Sequence, residues 1–201
     1  MPKFTIEQIR EIMDKSDNIR NIVDKWYRIV KKHDGKGASR LIIIDDGSKD
    51  DTLIIASQLA ARDKNIKLLS FSRNFGHQAA VTAGLKYSTG DAIIIIDADL
   101  QDPPELIPEM VKLWKDGYEV IYGKRKSREG ESPFKLFTAK MFYKTLNAFS
   151  DIDIPRDTGD FRLVDRQVVD VINELPEHNK FLRGLFSWVG YKQTPFEYER
   201  K

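Results

Sequence analysis

Two carboxylates one residue apart, Asp97 and Asp99, close the apolar run Ile93–Ile96 in the stretch DAIIIIDADLQDPPE. On a strand, positions i and i+2 share a face, so both acids point the same way where the strand opens into a loop. Charge at the end of a buried strand is costly unless it is paired or metal-bound. Paired carboxylates suit Mg2+ or Mn2+, which keep open positions for substrate phosphate oxygens. The ligand this implies is a nucleotide diphosphate. Asp99 and Asp102 also precede Pro103 and Pro104, a helix-start pattern, but capping does not account for Asp97.

These acids need a scaffold, and the order of elements supplies one. Thr5 to Met13 and Asn18 to Lys31 read as amphipathic helices, the second with Ile19, Ile22, Val23, Trp26, Ile29 and Val30 on one stripe. Strands are expected at Leu41–Ile44, Ile66–Phe71, Ala92–Ile96 and Glu119–Tyr122. Helices are expected at Leu53–Arg62, with Asp51 as N-cap, at Gln78–Tyr87 and at Glu105–Lys115. This alternation predicts an α/β fold with a doubly wound, mainly parallel sheet and helices on both faces. Ligands of such sheets sit beyond the carboxyl ends of the strands, where Asp45, Asp46, Arg73, Asn74, Asp97 and Asp99 all fall.

After Lys124 the chain turns basic and amphipathic. KRKSREGE reads as a charged loop, and Pro133 to Ala148 as a helix carrying Phe134, Phe137, Met141, Phe142 and Leu146. DTGDFRLVDR reads as a turn into a short strand, followed by helices Gln167–Leu175 and Phe181–Val189 and a last strand, Gln193–Tyr198. Pattern alone fits the helix from Pro133 equally to packing on the sheet and, with Lys135, Lys140 and Lys144, to a membrane surface.

A chain of 201 residues with 41% apolar content suits one domain. Three parts are expected: 1–35 an atypical helical start, 36–125 nucleotide-sugar-binding, and 126–201 acceptor-binding. A net charge of +2 gives no global case for nucleic-acid binding, and the absence of cysteine excludes disulfides and thiolate metal sites. No window approaches eighteen uninterrupted apolar residues, and MPKFTIEQIREIMDK has no secretory h-region. No GxGxxG follows the first strand, which disfavours a dinucleotide dehydrogenase.

The ordered series IIIDDGSKDDT, SFSRNFGHQAAVTAGL, IIIIDADLQDPPE, YGKRKSREGE, DTGDFRLVDR and FLRGLFSWVG resembles family 2 glycosyltransferases, in the branch that transfers a sugar onto polyprenyl phosphate. The resemblance implies a GT-A fold, an inverting reaction dependent on Mg2+ or Mn2+, and a UDP-glucose-like donor. It also implies work at the cytoplasmic face of a membrane. Asp46 then resembles the acid that holds the donor's base and ribose, and an Asx turn is the other role open to it. Asp97 resembles the nucleotide-side acid, and Asp99 and Gln101 the metal-side ligands. Arg73 and Asn74 resemble the wall near the donor, and Arg125 the arginine that lies against phosphate. Lys126 and Arg128 carry no assigned role. Asp157 and Asp160 resemble active-site acids beside the acceptor, while Arg162 and Arg183 either neutralise acceptor phosphate or pair with these acids. His77 reads as a helix-start or core residue. A hydroxyl acceptor, or an inactive nucleotide-binding remnant, are the alternatives.

The family begins with an apolar strand in the middle of the sheet, and MPKFTIEQIREIMDK stands in its place. That segment resembles the amino terminus of archaeal and eukaryotic translocation elongation factors, but no GxxxxGK loop follows to imply a GTPase. Three outcomes are expected: the gap closes, residues near Lys3 to Ile6 fill it, or the core packs poorly. Membrane-anchored relatives continue beyond the last residue, so the chain reads as a soluble fragment of such an enzyme.

Overall fold

The computed structural model describes residues 6–12, 16–33, 39–99, 101–125 and 158–199. The helix expected from Pro133, together with Lys126, Arg128 and Asp157, lies outside the described residues. In chain order the elements are β1 (Ile6–Ile12), α1 (Ser16–His33), β2 (Arg40–Asp45), α2 (Thr52–Arg62), β3 (Ile66–Ser70), α3 (His77–Tyr87) and β4 (Ala92–Ile95). A 3-10 turn (Pro104–Leu106) leads into α4 (Ile107–Lys115), then β5 (Val120–Arg125), β6 (Thr158–Asp165), α5 (Arg166–Glu174), α6 (Leu182–Trp188) and β7 (Gln193–Tyr198).

Among the described residues seven strands form one sheet in the order β3-β2-β1-β4-β6-β5-β7. Leu41–Ile44 of β2 and all of β4 are buried apolar runs, as strands covered on both faces must be. Side chains alternate between the two faces. Ile42, Ile44, Ile93 and Ile95 pack with Val120 and Val164 against α3, α5 and α6. Leu41 and Ile43 pack on the other face against Ile19, Ile22, Val23 and Trp26 of α1. Ile94 and Ile96 pack there too, beside Ile107 and Met110 of the α4 side. Each such isoleucine contributes roughly 1.5–3 kcal/mol by burial.

The first fifteen residues correct the sequence reading. Ile6–Ile12 is a strand and not a helix, and it lies in the middle of the sheet, parallel to both β2 and β4. The gap is therefore filled, further along the chain than Lys3 to Ile6. Its sequence, IEQIREI, is not an ordinary apolar strand. Leaving its place empty would unpair the amides of two buried neighbours, at about 1–3 kcal/mol per group. That cost overrides the weak helical preference of seven residues.

β6 is the other departure. It is longer than expected and runs antiparallel to β4 and β5 on either side, so six strands run one way and one the other. The register Ile95↔Arg162, carried two residues further, sets Asp160 across from Asp97. The strand order reverses direction between β1 and β4, the switch point at whose carboxyl rim ligands bind in such sheets.

At the α2 start, the carboxylate that takes the Thr52 amide belongs to Asp50, and Asp51 makes no side-chain cap. α1 and the end of α2 are joined by the Tyr27 hydroxyl, which donates to Asp63. Burial and then this bond raise the Tyr27 phenol to about 12, and the same bond lowers Asp63.

Two outcomes follow from this architecture. Amides 7–11 of β1 should exchange slowly with solvent, and Gln8→Pro should destabilise the fold by about 2 kcal/mol through lost ladder pairing; rapid exchange at these amides would remove β1 from the sheet. Tyr27→Phe should cost about 1 kcal/mol at neutral pH in urea unfolding. Because the folded Tyr27 pKa is raised, that advantage of the wild type holds below pH 10 and is lost as pH rises toward 12.

Candidate active site

The site grows from the ends of β2, β3 and β4 and the start of β6. At the end of β2, Asp45 and Asp46 are both buried. Asp45 accepts from the Ser48 amide (3.2 Å) and the Ser70 hydroxyl (3.1 Å), which forms the turn over Gly47 and ties β2 to β3. Asp46 accepts from the amides of Phe75 (2.7 Å) and Gly76 (2.8 Å), so its carboxylate clamps the loop that follows β3. Gly47 sits at φ +74°, and a Cβ there would lie 2.6 Å from the Arg73 carbonyl carbon. Only glycine permits that approach. The loop carrying Arg73 and Asn74 is thus held directly over the end of β2. Arg73 donates to the Asn74 carbonyl oxygen (2.9 Å) and stacks 3.9 Å from the Phe75 ring centroid.

Asp97 and Asp99 emerge from β4 as the sequence implies. Asp99 Oδ1 accepts from the Gln101 amide (3.0 Å), an Asx turn that sets Asp99 and Gln101 on one tight loop. Neither Asp99 nor Asp102 caps a helix. The 3-10 turn and α4 carry no side-chain cap, and Asp102 instead accepts from the Tyr198 hydroxyl. Burial raises the Asp97 carboxyl to about 6; His77 opposes the rise, and the charges of Asp160, Asp102 and Asp99 add to it.

Asp160, at the start of β6, has the opposite character. Arg183 of α6 grips it through two bonds of 2.8 and 2.7 Å, and His77 Nε2, at the first turn of α3, lies 3.0 Å away. Burial alone would raise its pKa. The Arg183 and His77 hydrogen bonds, with the charges of Arg183 and Arg162, overcome that and hold it well below the carboxylate range. Arg162 is 4% exposed, with its guanidinium 4.6 Å from the Phe186 ring centroid and one N–H on the Gly159 carbonyl oxygen. Of the two roles open to Arg183, pairing with an acid is the one seen. Arg125 ends β5, opposite Tyr198 of β7 in register.

The structure therefore brings Asp97, Asp99, Asp102 and Asp160 to one rim with the Asp46 clamp beside them. His77 opens α3, as the helix-start reading has it, but its contact with Asp160 was not read from the sequence, and Tyr198 carried no role beyond its strand. A hard divalent cation fits Asp97, Asp99 and Gln101, because it would offset the burial that chiefly pushes Asp97 upward and the neighbouring carboxylate charges that add to it. Among the described residues no group of three or more His, Cys, Asp or Glu is placed to hold a metal ion by itself. An ion here would draw its remaining ligands from water or substrate phosphate.

Comparison with known proteins places this geometry in context. The family described as "Glycosyl transferase family 2" matches residues 15–172. The uncharacterized glycosyltransferase YkcC of Bacillus subtilis is 49% identical over 98% of this chain and 55% of its own length. The bactoprenol glucosyl transferase of Shigella phage SfX is 46% identical over 80% of this chain and 52% of its own. The chain thus spans about half the length of these curated relatives. Among solved structures, glucosyl-3-phosphoglycerate synthase from Mycobacterium tuberculosis, in complex with Mn2+, UDP and phosphoglyceric acid, superposes with a TM-score of 0.68 at 20% identity, covering 98% of this chain and 70% of that one. The mannosyltransferase PcManGT from Pyrobaculum calidifontis, in complex with GDP-Man and Mn2+, gives a TM-score of 0.64 at 15% identity over 96% and 54%. These likenesses show the fold, which is α/β of the GT-A type. The family match and the near-half identity to these curated relatives together show that the chain belongs to the family 2 glycosyltransferases.

Proposed function

We propose that this chain carries the catalytic part of a metal-dependent, inverting glycosyltransferase that moves a sugar from a UDP-glucose-like donor to polyprenyl phosphate. The observation that carries the reading is the convergence of Asp97 and Asp99 with Asp160 at the switch point of the sheet. The printed names of bactoprenol glucosyl transferases among the relatives support the acceptor, and the Mn2+ and nucleotide complexes of the structural neighbours support donor and cofactor.

In this reading Asp99 and Gln101, with Asp97, hold Mg2+ or Mn2+, which when bound neutralises charge on the departing diphosphate. Arg73 and Asn74 wall the donor on the loop that Asp46 clamps, and Arg125 is the cation that would neutralise its phosphates. An acceptor phosphate oxygen attacks the anomeric carbon, the bond to the nucleoside diphosphate breaks, and the electron pair leaves with the diphosphate. A phosphomonoester is already ionised near neutral pH, so no proton has to be removed. Asp160 suits this chemistry better than hydroxyl transfer. A general base works best with a pKa near the operating pH, whereas Asp160 is held far below it. Its role, with Asp157, is to orient groups beside the acceptor. Arg183 and Arg162 neutralise Asp160 so that an anionic acceptor is not repelled.

Among the described residues no helix is long and apolar enough to cross a membrane. In this reading the acceptor's hydrocarbon tail stays in the bilayer, so the reaction runs at a membrane surface, the cytoplasmic face being what the family resemblance implies.

Assayed against UDP- and GDP-sugars with Mn2+ and a short polyprenyl phosphate, the chain should transfer glucose from UDP-glucose. Asp99→Ala should lower the rate at least about 100-fold. Mn2+-dependent nucleotide binding without transfer would select the inactive remnant, and transfer to a saccharide hydroxyl would overturn the acceptor. Arg183→Met should remove the support of Asp160 and destabilise the fold by about 2 kcal/mol at neutral pH. Since the folded Asp160 pKa is depressed, the stability it contributes is present above its ordinary value of 3.8 and lost as pH falls further. The difference in Tm between wild type and Arg183→Met should therefore be largest near pH 6 and shrink below pH 4.

A further inference from the structure

Tyr198 ends β7, the outermost strand on its side of the sheet, yet its hydroxyl reaches the loop after β4, two strands further in than its own neighbour β5. Its path is built for the purpose. A Cβ at Gly123 of β5 would lie 2.8 Å from Tyr198 Cε1, so glycine opens the way for the ring. The ring then meets Phe161 of β6 edge-on, with centroids 5.7 Å apart at 80°. Beyond it the hydroxyl donates to Asp102 Oδ1, with Tyr198 4% exposed and Asp102 1% exposed. Asp102 directly follows Gln101, and Asp99 is joined to Gln101 through the Asx turn. The loop that bears Asp99 and Gln101 is thus fixed at one end by β4 and at the other by Tyr198.

We propose that Tyr198 is a positioning residue for the divalent cation: its hydrogen bond to Asp102 holds the Asp99–Gln101 loop in the geometry that binds the ion. The inference rests on the metal-dependent reading above. The hydrogen bond joins a distant edge strand to a buried carboxylate of this loop, and neither the 3-10 turn nor α4 that follows has a side-chain cap. Partners one step removed from a metal ligand are typically worth 10- to 100-fold in affinity.

The test is Mn2+ binding to the whole chain, followed by electron paramagnetic resonance of the free ion, beside Mn2+ titration of transfer activity. Tyr198→Phe keeps the ring on Gly123 and Phe161 but removes the hydroxyl. It should weaken Mn2+ binding about ten-fold, while kcat at saturating Mn2+ changes less than about three-fold. Asp102→Asn retains an acceptor oxygen for the Tyr198 hydroxyl and should stay within about three-fold of wild type. Trp114→Phe, which loses a 2.7 Å bond to Asp165 on another part of the sheet, controls for general destabilisation and should leave the affinity unchanged. Wild-type affinity in Tyr198→Phe, or an equal loss in Trp114→Phe, overturns the role of Tyr198 alone. A loss in Asp102→Asn as large as in Tyr198→Phe assigns the effect to the Asp102 charge and also overturns it. Wild-type chain that binds no Mn2+ in an Asp99-dependent way removes the underlying reading and this role with it.

Discussion

The constraint on which the structure depends is the crowding of like charge at one rim of the sheet. Asp45, Asp46, Asp97, Asp99, Asp102 and Asp160 converge there at the ends of strands otherwise built from isoleucine and leucine. Repulsion among them is answered locally and by different means. Two amides answer Asp46, a serine hydroxyl and a turn amide answer Asp45, a phenol answers Asp102, and a guanidinium with an imidazole answers Asp160. Burial first, and then the charges of Asp160, Asp102 and Asp99, raise the Asp97 carboxyl. Charge that hydrogen bonds can absorb is absorbed, and the remainder is concentrated where a cation and its substrate would complete the account.

Much of this was legible in the sequence, for a definite reason. β2 and β4 are unbroken apolar runs bounded by acids, and the alternation of strands and helices implies parallel crossovers whose ligands gather at the carboxyl rim. Asp97 and Asp99 sit two apart on one strand, so their shared face needs no tertiary knowledge. The pairing of His77 and Arg183 with Asp160, and of Tyr198 with Asp102, joins residues far apart in the chain. No local pattern announces such contacts.

β1 shows the limit from the other side. Its isoleucines at positions 6, 9 and 12 repeat every three residues, closer to a helical period than to the strand period of two. Local pattern therefore pointed one way and the vacancy between two apolar strands the other. The backbone pairing of both neighbours decided the outcome, since unmade hydrogen bonds in a sheet centre outweigh propensities of tenths of a kilocalorie. The reversed direction of β6 was equally hidden. Element alternation with a helix expected from Pro133 points to a parallel β6, whereas β6 runs antiparallel to both of its neighbours.

That reversed strand also shapes what the fold can tolerate. Because β6 runs against β5, Lys124 and Thr158 are register partners, and the chain leaves and re-enters the sheet at adjacent positions of a single rim. A segment with both ends so anchored is bounded mainly by loop-closure entropy, which grows only logarithmically with length. The two exit points are thus held together by the β5–β6 pairing itself. The spacing of Asp97 from Asp160 is set by the β4–β6 register, so the length of the connection from β5 to β6 does not enter it.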